Sequence, residues 1–167
     1  MTAARELPFF VYGTLRPGQY NHGLFLRGRT AGEEPALLPG ARLYDGPGYP
    51  YAVAAGTAEG GDGGGDGRTG DGPVAVPGIA GDLVTAAPGA YGELLGVLDR
   101  LEEYRGPGHP RNLYERVERT VVRLRDGVSV PAWVYLAAPG ALPGPVIPGG
   151  DWVRRTAAPV RGGPRTP

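Results

Sequence analysis

An α+β fold follows from three features of the 167-residue sequence. Short runs of strand-forming residues recur along the chain. One segment carries apolar residues at helical spacing, and an Asp-Gly pair separates the last two strand-like runs. Hydrophobic residues make up 41% of the chain, enough for a core. The 31 Gly and 19 Pro residues lie between apolar clusters, which predicts a globular domain with Gly/Pro-rich connections.

Residues 7–12, Leu-Pro-Phe-Phe-Val-Tyr, read as a buried strand that enters a loop at Gly13. Residues 20–29 allow a short helix around Leu24 and Phe25, and 41–44 form a weak strand. Gly46-Pro47-Gly48-Tyr49-Pro50 is a turn, followed by a strand over 51–54. Residues 56–72 hold nine glycines and three aspartates with almost nothing apolar, so a mobile loop is expected there. Its acidic spacing fits no EF-hand, and the closing Glu is missing. Strand character returns over 74–84. Residues 91–103 are the clearest helix, entered at Pro88-Gly89 and stopped by Gly106-Pro107. Residues 114–124 and 130–136 are β-rich, with Asp126-Gly127 as a hairpin signal between them. Residues 143–148 form a loop closed by Gly149-Gly150-Asp151-Trp152. The expected organisation is one domain over 1–152 and an extended Arg/Pro-rich tail over 153–167.

Composition restricts the chemistry. The chain has no Cys and no Lys, which excludes disulfides, thiolate nucleophiles, Schiff-base lysines and a Walker lysine. The single serine, Ser129, sits in a strand-like run without nucleophile-elbow glycines. His22 and His109 are too few for most His-rich metal sites and read as loop or surface residues. Seventeen basic and seventeen acidic groups balance, which argues against nucleic-acid binding through bulk charge. The first residues lack a signal-peptide core and no apolar run could span a bilayer, so a soluble, cytoplasmic protein without membrane association is expected. Any chemistry would rest on carboxylates, tyrosines and backbone amides.

The helix carries the most informative geometry. At about 100° per residue, Tyr91, Leu94, Leu95 and Leu101 fall within roughly 60° of Leu98, and Glu102 lies about 40° away, inside the same apolar stripe. Asp99, Arg100 and Glu103 lie roughly 100° or more from it, where charges belong. A carboxylate facing inward loses hydration and gains basicity, as general acid/base work near neutral pH requires. The wheel equally allows a Glu that turns to solvent or pairs with Arg105 or Arg116. Tyr12-Gly13-Thr14-Leu15-Arg16-Pro17-Gly18 offers the second feature. Gly13 permits a sharp turn whose N–H groups could converge on an anion or a polarised carbonyl, and an ordinary Gly/Pro turn fits as well. Tyr114 and Tyr135 are strand residues that could bring hydroxyls to a pocket or simply sit in the core.

Three segments carry a resemblance in order: Tyr12 to Gly18, Leu98-Asp99-Arg100-Leu101-Glu102, and Ile147-Pro148-Gly149-Gly150-Asp151-Trp152. Leu113-Tyr114-Glu115-Arg116 and Ala132-Trp133-Val134-Tyr135 fall between the last two. The chain resembles the γ-glutamylcyclotransferase-like (AIG2-like) family from about Phe9 to Trp152. The resemblance implies a small mixed barrel-like β-sheet with flanking helices. It assigns Tyr12, Gly13, Thr14 and Leu15 to a loop that binds the γ-glutamyl group, Glu102 to the acid/base, and Tyr114 and Tyr135 to pocket walls.

The reaction implied is intramolecular aminolysis of a small-molecule γ-glutamyl substrate, an amine or peptide. The enzyme would be an amide-cleaving lyase or acyltransferase that needs no metal or other cofactor and releases 5-oxoproline. Removal of a γ-glutamyl protecting group in natural-product biosynthesis is one variant. Glu103 stands where relatives usually have Gly. This departure leaves a non-catalytic binding module as the alternative, and the arginine-bearing tail suggests an interaction segment as a third reading.

Overall fold

The structure is a computed structural model that describes residues 6–19, 21–54, 78–139, 141 and 144–153. The expected mobile loop over 56–72, the first part of the 74–84 strand and the tail beyond 153 lie outside these residues.

Five strands close into a mixed barrel in the order β1, β5, β2, β6, β7. They are β1 (Phe9–Val11), β2 (Thr30–Pro39), β5 (Gly78–Ala86), β6 (Tyr114–Arg123) and β7 (Ser129–Ala137). Neighbours pair antiparallel except at the closure, where β1 runs parallel to β7 with Phe9 opposite Trp133. A separate hairpin of β3 (Ala41–Tyr44) and β4 (Tyr51–Ala54) is tied to the C-terminal segment through Ile147 N–H to Leu43 O (2.7 Å). The α-helix α1 (Tyr91–Leu101) packs outside the barrel. Among the described residues no helix is long and apolar enough to cross a membrane.

Two buried clusters explain why β1 reads as a continuous apolar run. Phe10, Leu38, Ile79, Leu83, Val121 and Val134 meet inside the barrel. Phe9 and Val11 point the other way, toward Val84, Leu94 and Leu98. A strand buried on both faces needs no polar alternation. Leu94 and Leu98 are fully buried, each stabilising the helix–barrel contact by about 1.5–3 kcal/mol. Gly81 lets the sheet close at this point, because a Cβ there would lie 2.4 Å from Val11 O and 2.6 Å from the Phe10 ring.

Three sequence expectations need correction. The short helix over 20–29 is a single π-helical turn, His22–Leu26; Leu26 is its buried residue, while Leu24 is exposed. The helix over 91–103 ends at Leu101. Glu103 takes a left-handed conformation (φ 53°), and the N–H groups of Glu103 and Tyr104 close on Arg100 O and Asp99 O. This is a Schellman motif, whose left-handed position usually holds Gly. Strand β2 has no counterpart in the sequence reading.

Candidate active site

The turn leaving β1 is built by its own backbone. Arg16 N–H donates to Gly13 O (3.0 Å), Asn21 N–H to Thr14 O (2.9 Å), and Asn21 Nδ2 to Thr14 Oγ1 (2.9 Å). No hydrogen bond between described residues takes up the N–H of Gly13, Thr14 or Leu15. Three consecutive donors therefore remain for a bound oxygen. Leu15 is buried and anchors the turn against the helix-side cluster.

Gly13 is required by close approach. A Cβ here would lie 2.7 Å from Pro50 Cδ and Cγ. Gly13→Ala is therefore expected to destabilise the fold by about 1–3 kcal/mol, measured as a lower urea midpoint at unchanged m-value.

A cavity of about 390 Å³ opens beside this turn. Tyr12, Gly13, Thr14, Leu15, Glu102, Tyr114 and Tyr135 all line it, so the structure brings every sequence-predicted site residue to one place. Asn21, Tyr49, Pro50, Leu101, Glu103 and Leu113 also line it and were not singled out as site residues. Chain proximity to Gly13 and Glu102 is the signal that could have found Leu101 and Glu103. Tyr49 and Pro50 arrive through the β3–β4 turn, which no local pattern ties to β1.

Glu102 is the residue that caps α1. Its backbone N–H still bonds Leu98 O (2.9 Å), so its side chain leaves the helix on the Leu98 face, as the wheel allows. No described residue gives its carboxyl an ion pair or a side-chain hydrogen bond. Burial pushes that carboxyl up to about 8.

The tyrosine hydroxyls already have acceptors for their single protons. Tyr12 donates to Tyr135 O, Tyr114 to Pro50 O (2.7 Å), and Tyr135 to Asp99 Oδ1 (2.6 Å). Burial raises all three well above the usual phenol range, which keeps them neutral. They offer a ligand their rings and oxygen lone pairs rather than a proton. Tyr51 stacks on Tyr114 at 5.4 Å and stiffens that wall.

Asp99 does not face solvent as the wheel predicts. The β6–β7 pair covers this flank of α1, and Asp99 accepts from Arg116 Nη1 (2.9 Å) as well as from Tyr135. Arg116 in turn lies over the Tyr104 and Trp133 rings at 5.1 and 4.8 Å. Arg116 is therefore the partner of Asp99 and not of Glu102, and the pair locks the last turn of the helix to the barrel. Arg16 reaches from the turn to Asp82 (2.8 Å) and Asp151 (2.8 Å). Among the described residues no group of three or more His, Asp or Glu side chains could hold a metal ion.

Residues 9–64 and 66–154 match the model of the family described as Gamma-glutamyl cyclotransferase, AIG2-like. The chain belongs to this family. A curated relative, the Gamma-L-glutamyl-butirosin B gamma-glutamyl cyclotransferase of Niallia circulans, is 30% identical over 127 residues. The match covers 76% of this chain and 64% of that protein, so the chain spans just under two thirds of its length. An uncharacterised protein from Pyrococcus horikoshii is similar in structure, with TM-score 0.55 and 22% identity over 90% of this chain and 93% of that one. An AIG2-like protein from Mus musculus has TM-score 0.55 and 21% identity over 81% and 79% of the two chains. These two structures share the AIG2-like barrel fold with this chain.

Proposed function

We propose that this γ-glutamyl cyclotransferase family member releases 5-oxoproline and a free amine from a γ-glutamyl amine or peptide. One observation carries the reading: Glu102, whose carboxyl no described residue pairs, shares a cavity with a turn whose three N–H groups no described residue takes up.

The substrate's own α-amine attacks its γ-carbonyl carbon. The new C–N bond closes a five-membered lactam, and the original γ-amide C–N bond breaks. The reaction is already intramolecular, so the cavity's first task is to hold the folded conformer. The N–H groups of Gly13, Thr14 and Leu15 fix the glutamyl group and offset charge that develops on oxygen. Glu102 takes one proton from the α-ammonium, which passes to solvent, and a second from the same nitrogen once it has bonded to carbon, which it delivers to the departing nitrogen. With its carboxyl raised to about 8, it is a far better proton acceptor for the α-ammonium than an ordinary carboxylate. The name of the Niallia circulans relative supports the variant in which a γ-glutamyl cap is removed from a natural product.

Incubation with a panel of γ-glutamyl amides is expected to give 5-oxoproline and amine in equal amounts, quantified by mass spectrometry. Free glutamate in place of 5-oxoproline would mean hydrolysis by water, and the cyclisation reading would be wrong.

A further inference from the structure

We infer that this cavity selects γ-glutamyl amides whose leaving amine carries a further positive charge, received by the Glu103 carboxylate and the ring of Tyr49. The inference rests on the cyclotransferase reading and narrows its substrate class.

Among the described residues, the cavity lining holds two acids, Glu102 and Glu103, and no arginine or histidine. Arg16, the cation of the same turn, is turned away into its pair of aspartates. Arg116 is occupied by Asp99. The Glu103 carboxylate therefore has no compensating cation among the lining residues. Glu103 has no ion pair or side-chain hydrogen bond with a described residue and is exposed, so it stands at the rim.

Exposure distinguishes the two acids: Glu102 is partly buried, whereas Glu103 is open to solvent, so a leaving amine that extends toward solvent would meet Glu103. Tyr49 lines the same cavity, its ring held edge-on to Tyr51 at 5.7 Å. The Tyr51 hydroxyl is pushed up to about 12 by burial first, then by Tyr49, and last by the charge of Glu103. The field of Glu103 thus reaches the Tyr49–Tyr51 wall. A carboxylate and an aromatic ring that line one cavity can together receive an alkylammonium group. A leaving group that ends in its own carboxylate would instead set a like charge against Glu103.

Three amides that share one four-carbon chain isolate the charge: the mono-γ-glutamyl amide of 1,4-diaminobutane, that of butylamine, and that of 4-aminobutyrate. The diamine amide is expected to show kcat/KM about five- to tenfold above the butyl amide, as expected for one exposed ion pair with a cation–π contact, with the carboxylate amide lowest. Added salt should compress the order. Glu103→Gln keeps the side-chain size and should bring the diamine-to-butyl ratio to within about twofold. Glu103→Gly suits the left-handed backbone, removes the same charge and should give the same ratio. Equal kcat/KM for the diamine and butyl amides in the native protein, or an unchanged ratio in both variants, would overturn the inference. If none of the three releases 5-oxoproline, the cyclotransferase reading fails instead. Calorimetric binding of the same amides then tests charge selection independently of turnover, with the diamine amide expected to bind most tightly and equal affinities counting against it.

Discussion

Glu102→Gln is expected to lower kcat for 5-oxoproline release by about 10²–10⁴-fold, the usual contribution of one positioned acid/base. Gln keeps the shape and the cap position but cannot take a proton from the α-ammonium. In the native protein the carboxylate form is the base, so kcat/KM should rise with pH along a limb near 8. That limb should be absent from the variant. The same shift sets a stability signature. The Glu102 carboxyl is held near 8 in the fold and titrates near 4.3 in the unfolded chain. Between these values the folded form binds more protons, so stability falls as pH rises through that window. Gln removes the loss. The variant should match the native protein at about pH 4 and exceed it by on the order of 2 kcal/mol at pH 9, after allowance for solvent at the cavity. Urea titrations across pH check this. A variant both inactive and less stable at high pH would make Glu102 a structural residue.

Arg16→Met is expected to cost about 2–4 kcal/mol of folding stability, because it leaves the buried Asp82 without its cation and removes one partner of Asp151. The Arg16 side chain is 15% exposed, against 10% and 17% for the two aspartates, so water offsets little of the loss. Met retains most of the apolar stem, which confines the effect to charge and hydrogen bonds. Adding Asp82→Asn to Arg16→Met should recover part of the stability, since the more buried of the two carboxylates that lost Arg16 is then neutral. If the double variant is no more stable than the single one in urea, packing rather than charge accounts for the cost. Catalysis should fall with the single change as well, because Arg16 holds the turn that carries the three backbone donors.

The two ends of the site were legible in the sequence for different reasons. Glu102 sits in the apolar stripe of a clear helix, and Gly13 follows a run of four strand formers. Asp99 was misjudged because a wheel describes one helix, whereas the covered arc depends on how far the β6–β7 pair extends around it. Arg116 could be offered as a partner for Glu102 but not assigned to Asp99, since the choice depends on register between distant strands. The missed strand β2 has a physical cause. It pairs with β5 along its whole length but with β6 only at Ala36 and Leu37. Its first half behaves as an edge and tolerates Gly32, Glu33, Glu34 and Pro35, which mask a strand pattern. Glu103 reads as an anomaly in sequence, and its left-handed φ of 53° supplies the reason why Gly suits that position.

The parallel seam between β1 and β7 has a consequence for how the protein is made. Tyr12 and the backbone of Tyr135, which it binds, are 123 residues apart. The first strand to leave the ribosome can pair with β5 midway but meets its other neighbour, β7, only near the end, and such distant pairing predicts slow folding. Until the β6–β7 hairpin emerges, the cavity lacks its Tyr114 and Tyr135 walls, and the parallel edge of β1 stays open. Competence for chemistry should therefore arrive in one late step, with no partly folded species able to process substrate.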